Sequence, residues 1–252
     1  MSVAPRKSLG QHFLVDPNIL RVMGRLAELE PDDVVLEVGP GLGVLTRYLG
    51  GRVAHVHAVE LDRRLEPHLG GISNTELHWG DALRLDVATL APPPHKLVAN
   101  LPYNIATPLV VESLSVDLLE LWCVMVQREV ADRFVAVPST KAYGAVSVLV
   151  QLTTEQIGFH PVSREVFRPR PNVDSALVAL RRIGPAPGAA VRRLVNASFA
   201  HRRKTLANSL ALAGVELRDR TVEALASIGR DPVVRAEALA PGEFVALAEA
   251  LR

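Results

Sequence analysis

The sequence predicts an α/β protein in which a mostly parallel, seven-stranded sheet is covered by helices and followed by a small all-α domain. Three observations lead there. From Val34 to about Arg182 short apolar, β-branched runs alternate with amphipathic stretches. The segment Gly184-Pro185-Ala186-Pro187-Gly188 then has linker composition, and beyond it nothing reads as strand. The 252 residues are 48% hydrophobic and 22% charged, which excludes disorder and leaves material for one large core and a smaller one.

Taken in order, Asp16-Pro17 reads as an N-cap with proline at the first helical position, and Ile19, Leu20, Val22, Met23, Leu26 and Leu29 trace one face of the helix that follows. Strands are expected over Val34–Val38, Val56–Leu61, Leu77–Trp79, Lys96–Leu101, Leu121–Gln127, Glu155–His160 and Ala176–Arg182. Thr107-Pro108 repeats the helix-start punctuation and opens a helix through Ser113. No helix stands clearly between the last two strands, so an antiparallel hairpin is expected at one edge of the sheet. Short helices are expected over Ala189–Ala200, Lys204–Ala213, Arg220–Ser227 and Glu243–Leu251. The predicted domains are therefore residues 1–183, a linker at 184–188, and a helical domain at 189–252.

The single cysteine, Cys123, lies in the apolar run Leu121–Val126; it cannot form an internal disulfide and lacks metal-ligand spacing, which fits a buried residue in a reducing compartment. No apolar run approaches the ~18 residues of a spanning helix, and Met1 to His12 has no signal-like apolar region. A cytoplasmic monomer, with no membrane association and no metal, is expected. The 28 Lys+Arg against 27 Asp+Glu give a net charge of +1, which argues against nucleic-acid binding until it is divided. Residues 1–182 carry 18 basic and 20 acidic groups and residues 183–252 carry 10 and 7, so near-neutrality is an average of −2 and +3.

The first strand runs into Glu37-Val38-Gly39-Pro40-Gly41-Leu42-Gly43. Glycines here let the chain turn off the strand and approach a ligand closely. Glu60, 21 residues beyond Gly39 at the end of the second strand, is placed to accept from ribose hydroxyls. A dinucleotide fingerprint needs a third glycine where Val44 stands. The Gly39-x-Gly41-x-Gly43 spacing instead resembles the S-adenosylmethionine loop of class I methyltransferases, which have a Rossmann-like fold; a plain tight turn would use the same residues. In that fold Asp81, after the third strand, accepts from the adenine amino group; the alternative makes it a loop N-cap.

The fourth strand ends in Asn100-Leu101-Pro102-Tyr103, at the sheet edge where open α/β folds bind ligands. An adenine exocyclic amine is a poor nucleophile because its lone pair is delocalised into the ring. Accepting both its protons, at the Asn100 side-chain oxygen and at a main-chain carbonyl of Leu101 or Pro102, favours a pyramidal nitrogen. Tyr103 is placed to stack on an extruded base. The tetrapeptide resembles the N-P-P-Y type signature of amino-group methyltransferases.

Together with Lys7-Ser8-Leu9-Gly10-Gln11-His12-Phe13-Leu14 upstream, the chain resembles the ribosomal RNA adenine N6-dimethyltransferase family. Further blocks match in order: Val126–Arg133, Lys141–Gly144, Phe167–Ser175 and Phe199–Leu206. The resemblance implies that His12 and Leu14 line the cofactor S-adenosyl-L-methionine with Gly39, Gly41, Glu60, Asp81 and Asn100. It implies catalytic roles for Asn100, Leu101, Pro102 and Tyr103, with Phe167 closing on the base opposite Tyr103. Many members carry asparagine where this chain has His12; a core phenylalanine is the structural alternative for Phe167.

The family has two branches, one dimethylating adjacent adenines near the 3′ end of small-subunit (16S) rRNA, the other modifying a large-subunit (23S) adenine and conferring macrolide resistance. The Phe167-to-Ser175 run and the Arg202-Arg203-Lys204-Thr205 block are similar to the first; resistance enzymes usually carry isoleucine at the position of Leu101. The partner implied is 16S rRNA within the small subunit or its precursor. Arg168 and Arg170, and Arg202, Arg203 and Lys204, are the candidate RNA contacts, a solvated helix face being the plain explanation for the second group. A largely non-catalytic ribosome assembly factor is the alternative from a different class.

Overall fold

The computed structural model describes residues 4–6 and 9–252. Lys7 and Ser8, which open the first family block, lie outside the described residues. By its internal contacts the chain divides into two compact units, one of residues up to Ala131 with Glu155–Arg182, the other of Asp132–Thr154 with Ile183–Arg252.

The first unit holds the sheet. All seven expected strands form: β2 (Val34–Val38), β3 (His55–Glu60), β4 (Thr75–Trp79), β5 (Lys96–Asn100), β6 (Leu121–Gln127), β7 (Thr154–Val162) and β9 (Ser175–Arg182), in the order β4-β3-β2-β5-β6-β9-β7. Pairing is parallel from β4 through to β6, and β9 joins β6 antiparallel. The last strand in sequence thus inserts between β6 and β7, leaving β7 at the edge. From β2 the chain goes first to β3 on one side and later to β5 on the other, so a crevice opens beyond the carboxyl ends of β2 and β5.

Helix α1 (Pro17–Leu26) starts as expected: the Asp16 side chain accepts from Asn18 N–H, and Pro17 fills a position where no donor is needed. Its apolar face supplies Ile19, Leu20 and Met23 to the core, with Val35, Val56 and Val98 from the sheet. Cys123 is in the same core, its thiol donating to the Met23 carbonyl at 3.6 Å, and burial pushes that thiol up to about 12. It is a small hydrophobe here, not a reactive group. Helix α4 (Ala106–Ser113) begins one residue before Thr107, with Ile105 at the cap, so Thr107 lies inside the first turn instead of capping it.

Two short strands escaped the sequence reading. β1 (Phe13–Leu14) and β8 (Phe167–Arg168) pair antiparallel outside the main sheet, Leu14 opposite Phe167 and Phe13 opposite Arg168. They tie the N-terminal segment to the loop that precedes β9.

The second unit differs from the expected 189–252 domain because it recruits residues 132–154. Helices α5 (Arg128–Phe134) and α6 (Ala145–Thr153) were not expected; α6 reads Ala-Val-Ser-Val-Leu-Val-Gln-Leu-Thr, too apolar all round to show a helical period. It packs on α7 (Ala189–Ala200) and α10 (Pro241–Ala250), burying Val148, Leu149 and Val150. Tyr143, fully buried, donates its hydroxyl to the Leu239 carbonyl at 2.8 Å. Its ring meets Phe199, which in turn meets Phe244, at centroid distances of 6.0 and 5.7 Å. Short helices such as α8 (Leu206–Leu212) and α9 (Arg218–Ser227) cannot close a core by themselves, and the inserted helix supplies the missing apolar face. Among the described residues, no helix is long and apolar enough to cross a membrane.

Candidate active site

A cavity of about 280 Å³ lies at the carboxyl ends of β2, β3, β4 and β5, lined from the N-terminal segment, the glycine loop, Glu60, Asp81 and the Asn100-Leu101-Pro102-Tyr103 turn. Topology is what brings them together. β2 and β5 are neighbours, so the loops leaving them face each other, and β3 and β4 add one acidic residue each from the adjoining side.

The glycine loop has the backbone that only glycine adopts freely. Gly39 and Gly41 have φ of +74° and +59°. A Cβ on Gly39 would stand 2.9 Å from Pro102 Cδ, and one on Gly41 would stand 3.0 Å from the Phe13 ring. The loop is therefore pressed against the Asn100–Tyr103 turn on one side and the N-terminal segment on the other, leaving main chain exposed to the cavity.

Glu60 is nearly buried; its Oε2 accepts from Gly41 N–H at 3.2 Å and its Oε1 from Asp62 N–H at 2.8 Å. Burial raises its pKa, and the main-chain amides oppose that. Each carboxylate oxygen retains a lone pair for a further donor. Asp62 itself is held well below the usual carboxylate range, chiefly by the Arg64 side chain at 2.5 Å and also by Gln11 at 3.1 Å. Asp81 caps a single 3-10 turn, accepting from Leu83 N–H at 3.0 Å through Oδ1, while still lining the cavity. Capping and ligand contact are compatible there.

Glu37 is the feature the sequence reading passed over as a member of the site. It lines the cavity, is completely buried, and its Oε2 has no hydrogen-bond partner. Burial raises its pKa to about 8, the Glu60 charge adding and the Thr46 hydroxyl opposing, so it carries a proton at neutral pH. The strand pattern Val-Val-Leu-Glu-Val was the available signal, a lone acid inside a buried strand.

At the Asn100–Tyr103 turn, Leu101 N–H still donates to Met125 carbonyl at 3.1 Å, extending the β5–β6 pairing, before Pro102 carbonyl accepts from Ile105 N–H at 3.1 Å and closes the turn. Asn100 Nδ2 donates to the main-chain carbonyl of His12 at 3.2 Å. Tyr103 is half-buried, its hydroxyl 2.6 Å from Ser175 Oγ, which fixes the ring at the cavity wall.

His12 and Leu14 line the cavity. The His12 ring donates from Nδ1 to the Pro169 carbonyl at 2.8 Å and lies 5.3 Å, centroid to centroid, from Tyr103. Phe167 requires correction. It does not line the cavity but is completely buried in the sheet core behind Leu14. The apolar demand of that core outweighs any role as an open stacking surface, and His12 is the ring beside Tyr103 instead.

The basic residues fall into two places. In the first unit Arg168 and Arg170 are exposed; Arg170 pairs with Glu165 at 2.7 Å, and Arg168 donates to the Phe167 and Glu165 carbonyls at 2.8 and 3.0 Å. In the second, Arg202, Arg203 and Lys204 occupy the turn between α7 and α8, not a helix face. Arg202 donates to the Tyr143 carbonyl at 3.1 Å, so it also braces the turn; Arg203 and Lys204 are exposed.

Comparison with known proteins agrees with this geometry. The family described as ribosomal RNA adenine dimethylase matches residues 3–251. The ribosomal RNA small subunit methyltransferase A of Rubrobacter xylanophilus is 49% identical over 250 residues, covering 96% of this chain and 94% of the relative. That of Pelotomaculum thermopropionicum is 44% identical, covering 98% and 91%. Among solved structures, a dimethyladenosine transferase from Plasmodium falciparum shares the fold with a TM-score of 0.77 at 24% identity, covering 94% of this chain and 96% of that one. The 23S rRNA methyltransferase ErmE superposes with a TM-score of 0.66 at 31% identity, covering 95% and 99%. The sheet is that of a class I S-adenosylmethionine-dependent methyltransferase, with a helical C-terminal part. With an adenine-type turn, a glycine cradle and a match along almost its whole length, the chain belongs to the ribosomal RNA adenine dimethylase family.

Proposed function

We propose that this protein transfers methyl groups from S-adenosyl-L-methionine to the exocyclic N6 of two adjacent adenines in the 3′-terminal hairpin loop of 16S rRNA, giving N6,N6-dimethyladenosines while the small ribosomal subunit matures. The carrying observation is the anchoring of Asn100. A carbonyl only accepts, so the group 3.2 Å from His12 O is the Asn100 amide NH₂. That assigns the side chain's orientation and leaves Oδ1 as an acceptor in a residue that lines the cavity.

The residues fit the cofactor. Gly39 and Gly41 form a cradle that a Cβ would fill, and Glu60 and Asp81 offer acceptors to ribose hydroxyls and to an adenine amine. His12 and Leu14 close the same cavity from the N-terminal segment. When bound, the cofactor supplies an electrophilic methyl group on a sulfonium sulfur. A protonated Glu37 keeps the buried floor neutral, so Glu60 is the nearer acidic acceptor at physiological pH.

Asn100 Oδ1 accepts one N6 proton of the target adenine. The Leu101 carbonyl accepts the other, since that of Pro102 is engaged by Ile105. Held by both, the nitrogen would present its lone pair to the methyl group that a bound cofactor supplies; as the N–C bond formed, the S–C bond would break to leave the neutral thioether S-adenosylhomocysteine, and the surplus N6 proton of the now acidic amine would pass to solvent. Alignment in a site that excludes water supplies the rate enhancement without a strong general base. Tyr103, fixed by Ser175, stacks on the extruded base. Arg168, Arg170, Arg202, Arg203 and Lys204 contact phosphates, the RNA being recognised by backbone and shape.

We place the enzyme in the cytoplasm as a monomer, a reading supported by its single, inert thiol. The test is a parallel assay of unmethylated small subunits, large subunits and free 16S rRNA with radiolabelled cofactor. Labelled N6,N6-dimethyladenosine in the small subunit supports the proposal, and labelling of the large subunit alone overturns the substrate assignment.

A further inference from the structure

A second cluster of potential ligands stands on the first unit's sheet, away from the cavity. Because strand residues alternate between faces, His55 and His57 of β3 share a face, as do Glu76 and His78 of β4. The parallel register sets His57 opposite Glu76 and Val59 opposite His78, so all four side chains lie on one face of the strand pair. Glu37, opposite Ala58, lies on the other face, and none of the four lines the cofactor cavity.

Proton assignments leave these groups poised as ligands. The completely buried His57 has Nε2 2.8 Å from the Pro92 carbonyl, so Nε2 carries the hydrogen and Nδ1 presents its lone pair. Metal-bound histidines are commonly held in this way, the second ring nitrogen donating to a carbonyl. His57 Nδ1 stands 3.0 Å from His78 Nε2 and 3.7 Å from Glu76 Oε2. His55 Nε2 is buried without a hydrogen-bond partner, 3.6 Å from the same Glu76 oxygen. His78 Nε2 lies 3.9 Å from Glu76 Oε1.

We propose that His57 Nδ1, His55 Nε2 and a Glu76 carboxylate oxygen bind one divalent cation of the zinc class, with water in the fourth position, joining β3 to the edge strand β4. Zinc holds imidazole nitrogens and carboxylate oxygens at about 2.0–2.2 Å, which separates tetrahedral neighbours by roughly 3.3–3.6 Å. Glu76 Oε2 stands 3.6 Å from His55 Nε2 and 3.7 Å from His57 Nδ1, close to that value. Ligand atoms of His55, His57 and Glu76 all lie within 4.8 Å of one another. Two imidazoles and one carboxylate favour zinc and its transition-metal neighbours over magnesium or calcium, which prefer all-oxygen shells. Glu76, about half exposed, gives the ion its entry from solvent. The cation takes the place of the hydrogen that His78 Nε2 offers to His57 Nδ1. The site is structural: it staples the edge strand whose carboxyl end leads to Asp81.

The sequence reading assigned no metal, having searched only around Cys123. Chelator-stripped full-length protein titrated with Zn²⁺ against a competing chromophoric chelator should bind one ion per chain. Co²⁺ in its place should give the intense visible absorption of tetrahedral coordination. Glu76→Gln and His55→Gln, at positions that are not fully buried, should each weaken Zn²⁺ binding at least tenfold, and the double variant should lose the Zn²⁺-dependent rise in melting temperature. Failure of the wild type to bind stoichiometrically, equal affinity in the variants, or octahedral-type Co²⁺ absorption would each overturn the proposal and leave the four side chains as a polar network. A magnesium affinity equal to that for zinc would overturn the metal class.

Discussion

Asn100 Nδ2 donates to the main-chain carbonyl of His12 across 88 positions of sequence, at 3.2 Å. Asn100, at the end of β5, is therefore oriented by the N-terminal segment, which β1 and β8 in turn pin to the loop before β9. The cavity wall and Asn100 are one assembly. Asn100→Ala should lower kcat by about two to three orders of magnitude, the scale seen when one oriented hydrogen-bonding group is removed from a reacting centre. Cofactor affinity, measured by calorimetry, should change only a few-fold. Turnover within tenfold of wild type would refute the role.

Tyr103 separates stacking from anchoring. Tyr103→Ala removes the stacked ring and should cost about 1–3 kcal/mol in binding of a single-stranded RNA loop. Tyr103→Phe keeps the ring but loses the 2.6 Å contact with Ser175, worth about 0.5–1.5 kcal/mol. Its KM should therefore rise less than that of the alanine variant. Equal KM values for the two would show that the hydroxyl, not the ring face, matters.

Glu37 makes stability depend on pH. Its pKa is about 8 in the folded protein against 4.5 for a solvent-exposed glutamate, so between those values the folded state holds a proton that the unfolded chain has released. Stability from this group is present below pH 4.5 and is lost as pH rises toward 8, after which it levels. Glu37→Gln removes this contribution. Melting curves of wild type and variant should diverge upward through that window, the wild type falling by a few degrees relative to the variant, at roughly 2–4 °C per kcal/mol. Parallel curves would contradict the assignment.

Gly41→Ala should weaken cofactor binding more than it alters melting. Its φ of +59° strains any side-chain-bearing residue, and its Cβ would meet the Phe13 ring at 3.0 Å. Phe13 and the loop must shift together, which reshapes the cavity. Unchanged cofactor affinity in an alanine variant would show that the loop is not pressed against the ligand.

The two exposed cations of the α7–α8 turn test the RNA footprint. Arg203→Ala with Lys204→Ala should reduce the salt dependence of RNA binding by about 0.7–0.9 per phosphate contact removed, nearly uniformly across sequences. Arg202 is a poorer test, because its guanidinium also braces the Tyr143 carbonyl and its loss would disturb the turn.

The seven main strands were legible because each is a compact β-branched run bounded by turn residues, and α1 because Asp16-Pro17 marks its start. The glycine loop, Glu60, Asp81 and Asn100 to Tyr103 were legible as local motifs at strand ends, and the cavity gathers them. What escaped depends on contacts distant in sequence. Phe13-Leu14 and Phe167-Arg168 are too short to register as strands until they pair. α6 shows no period because it is apolar on every side, and its assignment to the second unit follows from what it packs against. Phe167 sits in a motif that resembles a base contact, and only burial reveals that its ring belongs to the core. Glu37 looked like the lead-in to a loop, and its protonation follows from the apolar neighbours that enclose it.

The most direct measurement is mass-spectrometric analysis of the 3′-terminal fragment of 16S rRNA after unmethylated small subunits are incubated with S-adenosylmethionine and either wild type or Asn100→Ala. The account predicts four added methyl groups with the wild type, two on each of two neighbouring adenines, and essentially none with the variant. An unmodified fragment with the wild type, or methyl groups on any atom other than adenine N6, would contradict it.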